Sequence, residues 1–195
     1  MNAIVLAAGK SERMGRPKAL LPFRNRTFLG NILDAISRSS IESAVVVLGH
    51  ERELIERSHA LPRVVFNAAY EQGMITSFQA GIRALPPGAE GAVVFLVDHP
   101  VVEPQTIDML IDHFAPGRIV LPTFQGRRGH PVLFSVAVLQ EILELPLTKG
   151  ANAVVWKDPR RITEVPVNTP GILVDIDTPE QFKELEQQDQ QEQHE

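Results

Sequence analysis

Residues 1–22 read MNAIVLAAGKSERMGRPKALLP. The run Ala3–Leu6 is apolar and partly β-branched, and it stops at Ala7-Ala8-Gly9, where small residues let backbone N–H groups approach a ligand closely. A strand that ends in such a loop is the usual entry to a ligand crevice at the carboxyl edge of an open α/β sheet. Two familiar fingerprints fail. A dinucleotide loop would need glycine at Ser11 and Met14, and a phosphate loop would need glycine at Met14 and lysine at Gly15. What remains is a small-residue loop that carries Arg13 and Lys18, spaced so that one can curl over a triphosphate while the other approaches its reacting end.

Further apolar runs recur at Ala44–Leu48, Val64–Phe66, Ala92–Val97 and Ile119–Leu121. They are too continuous for half-exposed strands, so they predict a sheet covered on both faces. Helical patterns lie between them: one after Thr27 as N-cap, then Glu51–Ala60, Thr76–Leu85 and Pro104–Phe114. The expected fold is α/β, a three-layer Rossmann-like sandwich with a mostly parallel central sheet. In the second half, Pro131–Phe134, Ile162–Val167 and Ile172–Ile176 read as strands, with helices at Ser135–Leu145 and Pro179–Glu186. One domain is expected over 1–186. From 187 to 195 the chain is acidic, rich in glutamine and nearly free of apolar residues, which predicts a disordered tail.

Composition narrows the function. The chain has 195 residues, 44% hydrophobic and 22% charged, which is ordinary globular usage. Without cysteine there is no disulfide framework, thiolate metal site or cysteine nucleophile, and a cytoplasmic setting is expected. No secretory signal or membrane-length apolar run is visible, so no membrane partner is expected. A net charge of −5 argues against nucleic acid. Yet six of the seven charged residues from Lys10 to Arg26 are basic, which suits a small polyanion.

Two carboxylates stand where ligands are expected. Asp98 ends the apolar run Ala92–Val97, where burial of an unpaired charge would be costly. Asp177 follows Ile172–Ile176 and precedes Thr178-Pro179-Glu180, a helix start; Asp175 competes with it for the same role. Carboxylates from two strand ends would hold Mg²⁺, with phosphates and waters completing its octahedron. Ser77 and Gly81 sit at and within the start of a helix after Gly73, a place suited to anions or bases. Gly126-Arg127-Arg128-Gly129-His130-Pro131 reads as a flexible basic finger for a phosphorylated acceptor. His99 and His130 read as structural groups or substrate hydrogen-bond donors.

The loop LAAGKSERMGRPKALLP resembles the signature loop of the MobA-like nucleotidyltransferases and, within them, the molybdenum cofactor cytidylyltransferases. Gly73–Ser77, Val97–Pro100, Gly126–Pro131 and Asp175–Glu180 follow in that family's order. The resemblance implies a nucleotide-diphospho-sugar-transferase type of fold and transfer of a nucleoside monophosphate from an NTP to a phosphorylated acceptor, with release of pyrophosphate. It makes Leu6, Ala7, Ala8, Gly9, Arg13, Lys18, Ser77 and Gly81 nucleotide ligands, with Lys18 on the α-phosphate and Lys18, Arg13 and Asp98 catalytic. It makes Arg127, Arg128 and His130 acceptor ligands, and Asp98 and Asp177 metal ligands. The implied partners are CTP, a pterin-type phosphorylated acceptor and a molybdoenzyme receiving the product. Guanylyl-transferring relatives carry Leu-Ala-Gly-Gly where this chain has Leu6-Ala7-Ala8-Gly9, so the Ala8 methyl implies a preference for CTP over GTP. Leu147-Thr148-Lys149-Gly150-Ala151-Asn152 lacks the acid the family often carries just before the Gly-Ala pair, which keeps a sugar or polyol phosphate acceptor open. A non-catalytic cofactor chaperone is a further alternative, against which Lys18, Asp98 and Asp177 all speak.

Overall fold

The computed structural model describes residues 1–192. Its centre is an eight-stranded sheet built on β1 (Asn2–Ala7). A hairpin of β2 (Pro22–Phe23) and β3 (Arg26–Thr27) leads into α1 (Phe28–Ser37). Then follow β4 (Ser43–Leu48), α2 (Arg52–Ser58), β5 (Arg63–Phe66), α3 (Met74–Arg83), β6 (Gly91–Leu96) and α4 (Pro104–Asp112). The second half holds β7 (Ile119–Phe124), β8 (Arg127–Arg128), β9 (Val132–Ser135), α5 (Val136–Leu143), α6 (Asn152–Val155), β10 (Ile162–Pro166) and α7 (Pro179–Glu192). The strand order is β10-β7-β9-β6-β1-β4-β5, with β8 paired to β7. β1 runs parallel to both β4 and β6, and β10 parallel to β7, while β9 is antiparallel to β6 and β7. The expected mostly parallel α/β sandwich is therefore present.

Alternation along β1 makes the layers. Ala3, Val5 and Ala7 pack with Leu29 and Ile32 of α1 and Leu110 of α4, while Ile4, Leu6 and Ala8 pack with Phe78 and Ile82 of α3 and Leu139 of α5. Both faces of the strand are dry, which explains why it reads as a continuous apolar run. Thr27 caps α1 as its sequence predicts, accepting from Gly30 N at 3.0 Å.

Two expectations need correction. Ile172–Ile176 is not a strand: Pro170–Leu173 forms a 3₁₀ turn, and the backbone groups of the segment bond to loops. His130 N donates to Ile172 O at 2.9 Å, and Ile176 N to Asp98 O at 2.9 Å. The run is apolar because it is buried between loops, not because it joins the sheet. The acidic segment from 187 is helical through Glu192, continuing α7, while 193–195 lie outside the described residues. Phe182 and Leu185, one turn apart, bury against Leu21, Phe23 and Phe28, and Arg24 Nε pairs with Asp189 Oδ1 at 2.6 Å. Such anchoring, with glutamine and glutamate as good helix formers, carries the helix past its last apolar residue.

Candidate active site

The carboxyl ends of β1 and β6, the central parallel pair, open onto a cavity of about 180 Å³. Leu6, Ala7, Ala8, Gly9 and Lys18 line it, with Ser77 and Asp98 on other walls. The loop after β1 reverses twice through left-handed residues, Ser11 (φ 54°) and Gly15 (φ 67°). Ser11 Oγ then accepts from Lys18 N at 3.1 Å, which pins the second reversal to the first.

Those turns drive Lys18 inward. Its side chain is only 10% exposed, and Nζ lies 2.5 Å from Asp177 Oδ1 and 3.3 Å from Asp98 Oδ2. A nearly buried ammonium is tolerable only with such partners. Arg13, on the exposed side of the loop, reaches Asp177 Oδ2 at 2.7 Å. Lys18 first, and Arg13 after it, hold the Asp177 carboxyl below its ordinary range. The backbone of Asp177 is fixed as well. Gln181 Oε1 accepts from Asp177 N at 2.7 Å and from Thr178 N at 2.9 Å, while Thr178 Oγ1 accepts from Gln181 N, a capping box at the start of α7.

Beside this ion-pair network, Asp98, His99 and Asp175 offer ligand atoms that all lie within 4.8 Å of one another. Asp98 Oδ1 is buried without a hydrogen-bond partner, as are His99 Nδ1 and His130 Nδ1, whose rings stand 4.5 Å apart. Burial lowers the pKa of His99, and it lowers that of His130 to about 4 with His99 adding to the effect. Burial raises that of Asp175. An orphaned carboxylate oxygen with a second carboxylate and an imidazole beside it fits a divalent cation. Of the two aspartates that the sequence leaves in competition, Asp175 is grouped with Asp98, whereas Asp177 is taken up by Lys18 and Arg13.

The remaining residues divide. Ser77 lines the cavity, and its Oγ accepts from Asn67 Nδ2 at 2.9 Å; the same amide donates to Thr76 Oγ1 at 2.8 Å. Asn67, buried just after β5, ties that strand to the head of α3, and sequence reading passed over it. Gly81 is absent from the cavity wall. Its missing Cβ would lie 2.5 Å from Ile4 Cγ2, so it allows the close contact between α3 and β1. The basic finger is a short β-ribbon: Arg127 and Arg128 form β8, paired to Phe124 and Thr123, and the His130–Pro131 peptide is cis. Arg127 is exposed and lines neither central cavity, whereas Arg128 and His130 line a second one of about 420 Å³ that shares Leu6, Met74 and Leu96 with the first.

This geometry has known counterparts. Residues 3–162 match the family model described as the MobA-like NTP transferase domain. The chain belongs to that family. It is 30% identical over 191 residues to the molybdenum cofactor cytidylyltransferase of Escherichia coli, covering 93% of each chain. It is 29% identical over 196 residues to the nicotine blue oxidoreductase of Paenarthrobacter nicotinovorans, covering 95% of this chain and 96% of that one. Among solved structures, Rv0371c of Mycobacterium tuberculosis superposes with a TM-score of 0.84 at 31% identity, covering 95% of this chain and 97% of that one. Rv0371c has also been solved in complex with manganese, with a TM-score of 0.75 to this chain. The chain is thus a nucleotidyltransferase of the MobA-like family. No helix among the described residues is long and apolar enough to cross a membrane.

Proposed function

We propose that this protein is a cytoplasmic, Mg²⁺-dependent nucleotidyltransferase that moves CMP from CTP to the phosphate of molybdenum cofactor and hands the product to a molybdoenzyme. The observation that carries the reading is Lys18 Nζ, held between Asp98 and Asp177 at the mouth of the loop after β1. An acceptor phosphate oxygen attacks the α-phosphorus in line; the bond to the β-phosphate bridging oxygen breaks, and pyrophosphate leaves with that electron pair. Charge gathers on the α-phosphate and the leaving group, and a fixed ammonium there is worth most in the transition state. Lys18 supplies it, while Arg13 on the exposed side of the loop meets the departing phosphates. Backbone N–H groups of Ala8 and Gly9 hold the triphosphate close to the strand end. Mg²⁺, when bound, neutralises the same developing charge, and Asp98 with Asp177 or Asp175 would hold it. No side-chain nucleophile is needed, and neither histidine acts as general base.

The test is incubation with each α-labelled NTP, Mg²⁺ and molybdenum cofactor, followed by a search for a labelled dinucleotide. CTP is expected to give the product with a kcat/KM above that of GTP by about 10 to 200-fold, the discrimination one methyl group supports. Ala8→Gly should narrow that ratio. A wild-type ratio at or below one refutes the pyrimidine preference. Label transferred only to a sugar or polyol phosphate would replace the acceptor. No transfer from any NTP would favour a redox role like that named for the Paenarthrobacter nicotinovorans relative, whose alignment spans 95% of this chain.

A further inference from the structure

The second cavity is the larger and lacks the lysine and the aspartate that line the first. Its walls are apolar, from Ile75 and Phe78 of α3 across Val94 of β6 to Phe134 of β9, and no acidic residue lines it. At its rim stand Met74, 61% exposed, and Trp156, 58% exposed, the two most exposed large apolar side chains among the described residues. Leaving both in water forgoes part of the burial that drives folding, and two such residues on one cavity mark a binding surface more than chance exposure does. Trp156 is also held. The Arg128 guanidinium carbon lies 5.0 Å from the centre of its ring, and Glu164 Oε1 fixes that guanidinium through Nε and Nη2, both at 2.7 Å.

We propose that this cavity takes a planar heteroaromatic ring and that Trp156 is the residue that selects for it. The inference rests on the transferase reading above and deepens it on the acceptor side. Because Leu6, Met74 and Leu96 belong to both cavities, a ring lodged beside Trp156 can extend a phosphorylated arm past Met74 towards Lys18. The Glu164–Arg128–Trp156 contacts favour one placement of the indole, which reduces the side-chain freedom lost when the ligand arrives. Gly150, Ala151 and Asn152 belong to the same wall. Small and neutral residues there leave room for a flat ring and add no carboxylate to repel its phosphate.

Trp156 is the sole tryptophan, so its emission reports on this cavity alone. Titration with neopterin, a soluble pterin, is expected to quench that emission saturably, and glycerol 3-phosphate, which has no ring, is expected to leave it unchanged. The anisotropy of neopterin's own fluorescence gives a second isotherm that needs no tryptophan. By that isotherm Trp156→Ala should weaken binding about tenfold, as loss of one ring-stacking contact does. Trp156→Phe should restore most of the affinity. An unchanged isotherm for Trp156→Ala overturns the proposal, as does glycerol 3-phosphate binding as tightly as neopterin. Saturable neopterin binding that depends on Trp156, in a protein that transfers no CMP, would uphold the ring site while refuting the cytidylyl reading.

Discussion

The two neighbouring cavities share three apolar residues and differ in charge. The first, about 180 Å³, sets one buried lysine and Asp98 beside a loop of small residues and other apolar walls, with Asp177 reaching the same lysine. The second, about 420 Å³, is made from side chains, mostly apolar, with the histidine and arginine of a short β-ribbon at its edge. A phosphate site needs fixed dipoles and charges at set distances, and strand ends and a doubly reversed loop supply them. A ring site needs shape, which many interchangeable side chains can supply. Substitutions should therefore be severe and local in the first cavity and graded in the second.

The largest effect is expected at the carboxylates. Asp98→Ala should lower kcat by about 100-fold or more, as loss of a key electrostatic element does, while circular dichroism and Tm keep the folded signature. Comparing Asp175→Asn with Asp177→Asn then sharpens the plan. If Asp175 is the second metal ligand, Asp175→Asn weakens Mn²⁺ binding measured by electron paramagnetic resonance, and Asp177→Asn lowers turnover while metal affinity stays. The reverse pattern would return Asp177 to the metal.

Next comes Lys18→Ala. Its kcat should fall about 100-fold, and its affinity for nucleotide by less than about tenfold, because the ammonium acts mainly on charge that develops in the transition state. Unchanged kcat at saturating nucleotide would remove Lys18 from the reaction.

A smaller effect belongs to the second cavity and to pH. His130 is neutral in the folded protein down to about pH 4, while the unfolded chain takes up that proton near the ordinary value of 6.5. The unfolded state then binds more protons across this window. Stability contributed by His130 is whole above pH 6.5 and is lost as pH falls towards 4, by up to about 3 kcal/mol. Asp177, with its pKa depressed by Lys18, loses its contribution only at lower pH, below the ordinary aspartate range. Melting curves in metal-free buffer should show Tm falling between pH 6.5 and 4, with a shallower fall in His130→Asn. Parallel curves for the two proteins would mean that the histidine titrates normally.

The smallest change is Gly81→Ala. The added methyl would meet Ile4 at 2.5 Å and Val47 at 3.1 Å, so about 1–3 kcal/mol of stability should be lost with the KM for nucleotide unchanged. A raised KM at constant Tm would place Gly81 at the ligand after all.

Gly81 also shows where sequence reading stops. A glycine two turns into a helix carries the same signal whether a ligand or a neighbouring strand comes close, and the position of Ile4 shows the strand. The runs of β1, β4 and β6 were legible because each strand is dry on both faces, and Thr27 because the apolar stripe of α1 begins directly after it. Ile172–Ile176 misled because burial between loops produces the same apolar run as burial in a sheet. Asn67, Gln181 and Trp156 were passed over for a common reason. Each matters through a partner distant in sequence or through an empty volume beside it, and neither leaves a local pattern.

One consequence of the alternation along β1 concerns how the chain can vary. Successive residues from Ala3 to Ala8 face opposite helix layers, and Leu6 borders both cavities. Changes of size in this strand are absorbed one layer at a time. A deletion or insertion of a single residue would instead exchange the layers and put a different residue at Leu6's place. The length of this strand is thus under a stricter constraint than its spelling, whereas loops such as the one joining α5 to α6 tolerate insertion far better.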